Sequence, residues 1–173
     1  MSFGEATEEL RGWFAGRLPE DWFEAPPEIT LDREEITIVG RLAAPEVSEG
    51  AADAERFAAV AGRVQGFRED TRERRIAIAR EAEHRFRRKV SWGVECAGER
   101  QMFTTLSVPV MTRLRQPERQ VLDTLVGGRV ARSRSEALAW CVRLVGDNTE
   151  TWLADLRDAL SHVERVREAG PGS

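Results

Sequence analysis

Met111, Arg113 and Arg115 recur at every second position and carry the most informative side chains in the sequence. The residues of the other parity, Leu106, Val108, Val110, Thr112 and Leu114, are mostly apolar, and a strand would turn the two sets to opposite faces. A guanidinium is planar, permanently charged and rich in donors. Its fork suits phosphate oxygens or the O6/N7 edge of guanine. Further on, Ser133 and Glu136 have the spacing of a capping box, so Ser133, Arg134 and Ser135 open a helix. The free amides and positive dipole end of such a helix start favour an anion.

Other chemistries lack their residues. The two histidines, His84 and His162, sit in charged helical contexts where an exposed imidazole is the default. Cys96 continues an apolar strand face and Cys141 lies in a helical stretch; neither has metal-ligand spacing or a nucleophile motif. Gly127-Gly128 lacks the lysine and the spacing of a phosphate-binding loop. These absences predict no enzyme activity, no catalytic residue, no metal ligand and no cofactor.

The elements that must position the arginines follow from composition and periodicity. A chain of 173 residues, 41% hydrophobic and 32% charged, is long enough for a sizeable core in one large domain or two small ones. No apolar run approaches the ~20 residues of a membrane span, and no signal-peptide pattern opens the chain. With two distant cysteines this predicts reduced thiols, a cytoplasmic location and no membrane partner. The net charge of −4 conceals an asymmetry. Residues 1–56 are acidic, whereas 68–89 and 113–145 are basic, and phosphate binding needs only a local basic surface.

Ala6, Leu10, Trp13, Phe14 and Leu18 predict a helix over 4–17, with Ser2 and Glu5 at capping-box spacing; Pro26-Pro27 bars helix further on. Ile29, Leu31, Ile36, Ile38 and Val39, around a turn at Asp32-Arg33-Glu34, predict a hairpin over 28–42. A long helical segment follows from Ala51 to about Arg88, with a break or bend expected in the polar run 68–75. Asp70 with Arg74, Glu81 with Arg85 and Glu83 with Arg87 have i,i+4 ion-pair spacing. Val90, Trp92, Val94 and Cys96 predict a half-buried strand, Ala97-Gly98-Glu99 a turn, and Gln101 onward a returning strand that continues into 106–115. Pro117 fits a first helical position, Val121, Leu122, Leu125 and Val126 a buried face, and Gly127-Gly128 a stop. After the capped helix, Trp152, Leu156, Ala159, Leu160, Val163 and Val166 form the apolar stripe of a third helix, which should pack on the dimer core or against the N-terminal domain. Gly170-Pro171-Gly172-Ser173 reads as a frayed end.

The succession from Leu106 to about Val145, an Arg-bearing strand, a proline-opened helix and a capped second helix, resembles the ribbon–helix–helix DNA-binding family. The resemblance covers under a quarter of the chain. It implies a homodimer whose strands pair antiparallel into a ribbon, with Met111, Arg113 and Arg115 facing the major groove of duplex DNA. It also implies that Ser133, Arg134 and Ser135 anchor a phosphate.

The expected fold class is α+β. A small N-terminal α+β domain with two hairpins and a long helix spans 1–105. A ribbon–helix–helix module spans 106–146 and an extra helix 147–169. The expected function is a dimeric, sequence-reading DNA-binding protein that regulates transcription, the N-terminal domain taking a small ligand or a protein partner. The alternative is a non-catalytic adaptor that keeps the fold for dimerisation without binding DNA.

Overall fold

The computed structural model describes residues 3–169. The chain is α+β and divides into two compact units, one ending at Pro109 and the other starting at Val110. The boundary expected from the sequence, 105/106, lies four residues earlier. Ser2 of the expected capping box and the tail 170–173 lie outside the described residues.

In the first unit, α1 (Phe3–Arg17) precedes the hairpin β1 (Glu28–Leu31) and β2 (Glu35–Leu42). The hairpin turns on Asp32, whose Oδ1 accepts the amides of Glu34 at 2.8 Å and Glu35 at 2.7 Å. The expected long helix is two, α2 (Asp53–Asp70) and α3 (Arg72–Phe86), which meet at Thr71 in the polar run. Thr71 Oγ1 donates back to the Phe67 carbonyl at 2.6 Å, the side-chain competition that bends helices. Strands β3 (Lys89–Cys96) and β4 (Glu99–Met102) form the second hairpin. Its two-residue turn places both Ala97 (φ 51°) and Gly98 (φ 84°) in the left-handed region, as a type I′ turn requires.

The two hairpins join into one sheet of order β1-β2-β3-β4, because β2 and β3 pair in parallel from Glu35↔Lys89 to Leu42↔Cys96. That register stacks Ile36 beside Val90, Ile38 beside Trp92 and Leu42 beside Cys96 on one face. The helices cover this face: Leu10 and Phe14 of α1 and Ile78 and Ala82 of α3 complete its core, and Val64 of α2 packs with Leu42, Val94 and Cys96. The strand β3 is not half-buried, as its alternation predicts. Ser91 and Gly93, of the opposite parity, are buried as well: both are small, Ser91 bonds the Glu35 carboxylate of β2, and the Met102 side chain of β4 lies over Gly93.

The expected i,i+4 pairs along the end of α2 and α3 do not form. Glu81 takes both arms of Arg17 at 2.7 Å, Arg85 reaches Glu9 at 2.8 Å, and Glu83 binds Lys89 at 2.9 Å. Two of these three tie α3 to α1, and Arg74 stacks over Trp22 with Cζ 5.5 Å from the ring centre. Arg17 holds the exposed Glu81 carboxyl below its ordinary pKa by a direct hydrogen bond.

The second unit is helical: α4 (Gln116–Gly127), α5 (Arg134–Asn148) and α6 (Glu150–Ala169). Its core is small. Leu122, Ala131 and Ala137 are buried, with Leu114, Leu125, Val126, Leu138 and Cys141 packed around them.

Candidate nucleic-acid interface

Residues 104–115 form no strand in the single chain, so the expected continuous strand stops at Met102. Phe103 and Thr104 still donate their amides to the Trp92 carbonyl, at 2.7 and 3.3 Å, and the Leu106 amide donates to Glu35 at 3.1 Å. Beyond Leu106, no hydrogen bond among the described residues takes up the amides of 107, 108 or 110–114, and Pro109 has none to donate. A ladder needs a partner strand, and one chain supplies none.

The expected separation of faces is incomplete for the same reason. Val110 is 86% exposed and Met111 96%, and of the apolar set only Leu114 is half-buried, against Leu122 and its neighbours. Arg113 and Arg115 are exposed. Arg115 has extended backbone (φ −80°, ψ 174°) and is the N-cap of α4, so Pro117 occupies the second helical position and not the first. Its missing amide hydrogen is still harmless there. Arg119, one turn on, donates from Nη1 to the Leu114 carbonyl at 2.8 Å and latches the segment to α4. At the other end the helix closes with the Gly128 amide on the Thr124 carbonyl at 2.8 Å. The left-handed residue is Arg129 (φ 59°), not a glycine.

The start of α5 has half of the expected capping box. Ser133 Oγ accepts the Glu136 amide at 3.2 Å, but Glu136 reaches back to the Arg132 amide at 2.8 Å, one residue further than the usual pattern. Its carboxylate also holds the Arg132 guanidinium, and these hydrogen bonds keep it below the ordinary glutamate pKa. Arg134 forms a fork-to-fork pair with Asp123 of α4, both arms at 2.7 Å. That pairing lowers the Asp123 pKa and raises that of Arg134.

A cleft of about 720 Å³ lies between the 110–114 segment, α4 and the start of α5. It brings together four of the six residues singled out from the sequence, Met111, Arg113, Arg134 and Ser135, and adds Arg119. Arg115 and Ser133 do not line it. Arg119 and Asp123 carry no mark in the sequence. Both sit on the polar side of an ordinary amphipathic helix, and eleven residues separate Asp123 from Arg134, so no local spacing signals the pair. Among the described residues, no group of three or more His, Cys, Asp or Glu is placed to hold a metal ion. No described helix is long and apolar enough to cross a membrane.

Comparison with known proteins places both units. Residues 8–102 match the N-terminal domain of Rv1265-like proteins, and 115–167 match the Mb1296 C-terminal domain; neither description names a ribbon–helix–helix module. The uncharacterized proteins Mb1296 of Mycobacterium bovis and Rv1265 of Mycobacterium tuberculosis are each 60% identical over 159 residues, 92% of this chain and 69% of theirs. No solved structure matches the chain significantly. With near-complete coverage at this identity, the chain belongs to the Rv1265-like family.

Proposed function

We propose that the chain acts in the cytoplasm as a homodimeric DNA-binding protein of the ribbon–helix–helix type, a regulator of transcription that catalyses no reaction. The observation that carries this reading is the 110–115 segment. It presents Val110, Met111, Arg113 and Arg115 to solvent, leaves the amides of 110–114 without a partner among the described residues, and borders a cleft rimmed by Arg119 and the start of α5. A second copy pairing antiparallel would satisfy the unpaired amides. Four arginines and two methionines would then line a ribbon of the width the major groove admits. The first amides of α5, at Arg134 and Ser135, would meet a phosphate.

The adaptor reading draws on a specific observation too. Arg134 is already neutralised by Asp123, so one expected phosphate anchor is occupied in the free chain. Duplex binding across a salt series decides between them. Wild type should weaken steeply with salt. Arg113→Ala/Arg115→Ala should lose most of the affinity and flatten the slope, by about one unit for each phosphate that is no longer neutralised. Failure of wild type to bind in low salt would leave the adaptor reading.

A further inference from the structure

In the sequence of the second unit a heptad repeat continues from α5 into α6. Val142 and Val145 on α5 lead to Trp152, Leu156, Ala159, Val163 and Val166 on α6, with Thr149 at the junction. The steps alternate three and four residues from Val142 to Val166, the 3.5-residue period of a coiled coil and not the 3.6 of a helix laid on a globular core. The helix itself is interrupted there: Thr149 has φ −129° and ψ 27°, and none of the amides of 150–152 bonds a carbonyl of 146–148, so the phase is carried across by the sequence. Only Thr149 leaves the helical conformation, and the Leu153 amide bonds to its carbonyl at 2.9 Å.

Nothing in the described unit covers this seam. Within its own unit the last helix finds no core to pack on; the dimer core expected from the sequence would have to come from a second chain. The six large members of the repeat are each 44% to 66% exposed. Together they expose roughly 600 Å² per chain, so two seams bury at most on the order of 1,200 Å², the lower end of stable specific interfaces, if wholly covered. Surface of that extent on a soluble chain marks an interface. A heptad seam fits another heptad seam, because each knob needs the four-residue hole that only a second helix of the same period offers. The matched C-terminal domain, 115–167, closes one residue after Val166, so the seam lies inside that domain and is not an appended tail.

We infer that α5 and α6 form a two-stranded coiled coil with the same helices of a second copy of this chain, a dimerisation element separate from the 110–115 segment. The inference rests on the homodimer in the proposed function, but not on DNA binding or on the ribbon. Thr149, the one polar residue on the seam, sits where a polar residue fixes register at some cost in stability.

Sedimentation equilibrium of the full chain over a dilution series tests this. The variants are Leu156→Asp/Val163→Asp and the helix-preserving Leu156→Ala/Val163→Ala on the seam, and Val110→Asp/Thr112→Pro on the ribbon segment. Wild type should dimerise. The aspartate pair should raise the dissociation constant at least about 100-fold and the alanine pair roughly 10-fold, with helical circular dichroism of the alanine pair kept. Wild-type dissociation constants in both seam variants would overturn the inference and leave the ribbon reading standing. Loss in the seam variants with none in the ribbon variant would support the seam and remove the ribbon. A wild-type chain that stays monomeric at tens of micromolar would overturn both.

Discussion

Gly40→Ala should destabilise the first unit although it adds a single methyl group. Gly40 lies in β2 between Ile38 and Leu42, on the face that the helices cover, opposite Val94 of β3. A Cβ built there would overlap Cε1, Cδ1 and Cζ of Phe23. The Phe23 ring cannot slide freely. Trp22 meets it edge-on at 6.1 Å between centroids and Phe67 lies 5.6 Å away. The ring must therefore swing outward, which opens its packing against both. Overpacking of this kind costs about 1–3 kcal/mol, and reduced freedom of the unfolded chain returns about 0.4–1 kcal/mol, so a net loss of about 1–1.5 kcal/mol is expected. The test is urea unfolding followed by tryptophan fluorescence, with Phe23→Ala used to build a double-mutant cycle. Removing the ring should relieve the alanine, for a coupling energy of about 2 kcal/mol. Gly93→Ala is the control. There the new Cβ would meet the thioether of Met102, whose flexible end can move, and the Gln101 carbonyl at 3.1 Å, so the loss should stay below about 1 kcal/mol. Gly40→Ala as stable as wild type, or equally costly with and without Phe23, would refute the packing argument.

Three further outcomes concern the second unit. Asp123→Asn should free the Arg134 fork for phosphate; duplex affinity should rise several-fold with a steeper salt dependence, both measured by fluorescence anisotropy, whereas a purely structural Arg134 would leave affinity flat or lower it. Because Arg134 depresses the Asp123 pKa, the pair contributes above the ordinary aspartate pKa, and that contribution fades as pH falls through the depressed value; acid unfolding of Asp123→Asn should lack this component. Ser133→Ala removes the acceptor of the Glu136 amide and should cost about 1 kcal/mol in thermal or urea unfolding, while Ser133→Asp should retain most of it.

What was legible in the sequence was local. Ile29 to Val39 around Asp32 dictates a hairpin because alternation and an Asx turn operate within a few residues. Ser133 and Glu136 set a helix start for the same reason. The pairing of β2 with β3 was not legible, since a parallel pair spans the whole α2–α3 crossover and leaves no turn residue as a marker. Nor was the fate of the α3 charges. Glu81 and Arg85 have ideal spacing for each other, yet α1 brings Arg17 and Glu9 close, and the longer-range geometry wins. In the candidate site the exposure of Arg113 and Arg115 does not report alternation in the single chain, since Val110 and Thr112 of the other parity are exposed as well. Arg119 and Asp123 were not legible either, because their roles depend on how α4 faces the neighbouring segment and α5.

The two basic segments are equivalent as totals, and their side chains separate them. In 68–89 most of the surplus is committed within the fold. Arg75, only 6% exposed, bonds Thr71 Oγ1 and the Arg68 carbonyl and lies 4.9 Å from the centre of Phe103. Arg74 covers Trp22, Arg85 and Lys89 hold glutamates, and Arg88 bonds the Asp32 carbonyl at 2.7 Å. A guanidinium engaged in this way would have to break a bond before it could release a counterion from a phosphate, so it adds little to the salt slope. Among the described residues, Arg113 and Arg115 enter no ion pair or hydrogen bond through their side chains, and both are exposed. If duplex binding is found, its electrostatic term should therefore track these two arginines and respond weakly to neutralisation of Arg74, Arg85 or Arg88. The reverse order of sensitivity would place any nucleic-acid surface on the first unit and would remove the argument for the ribbon.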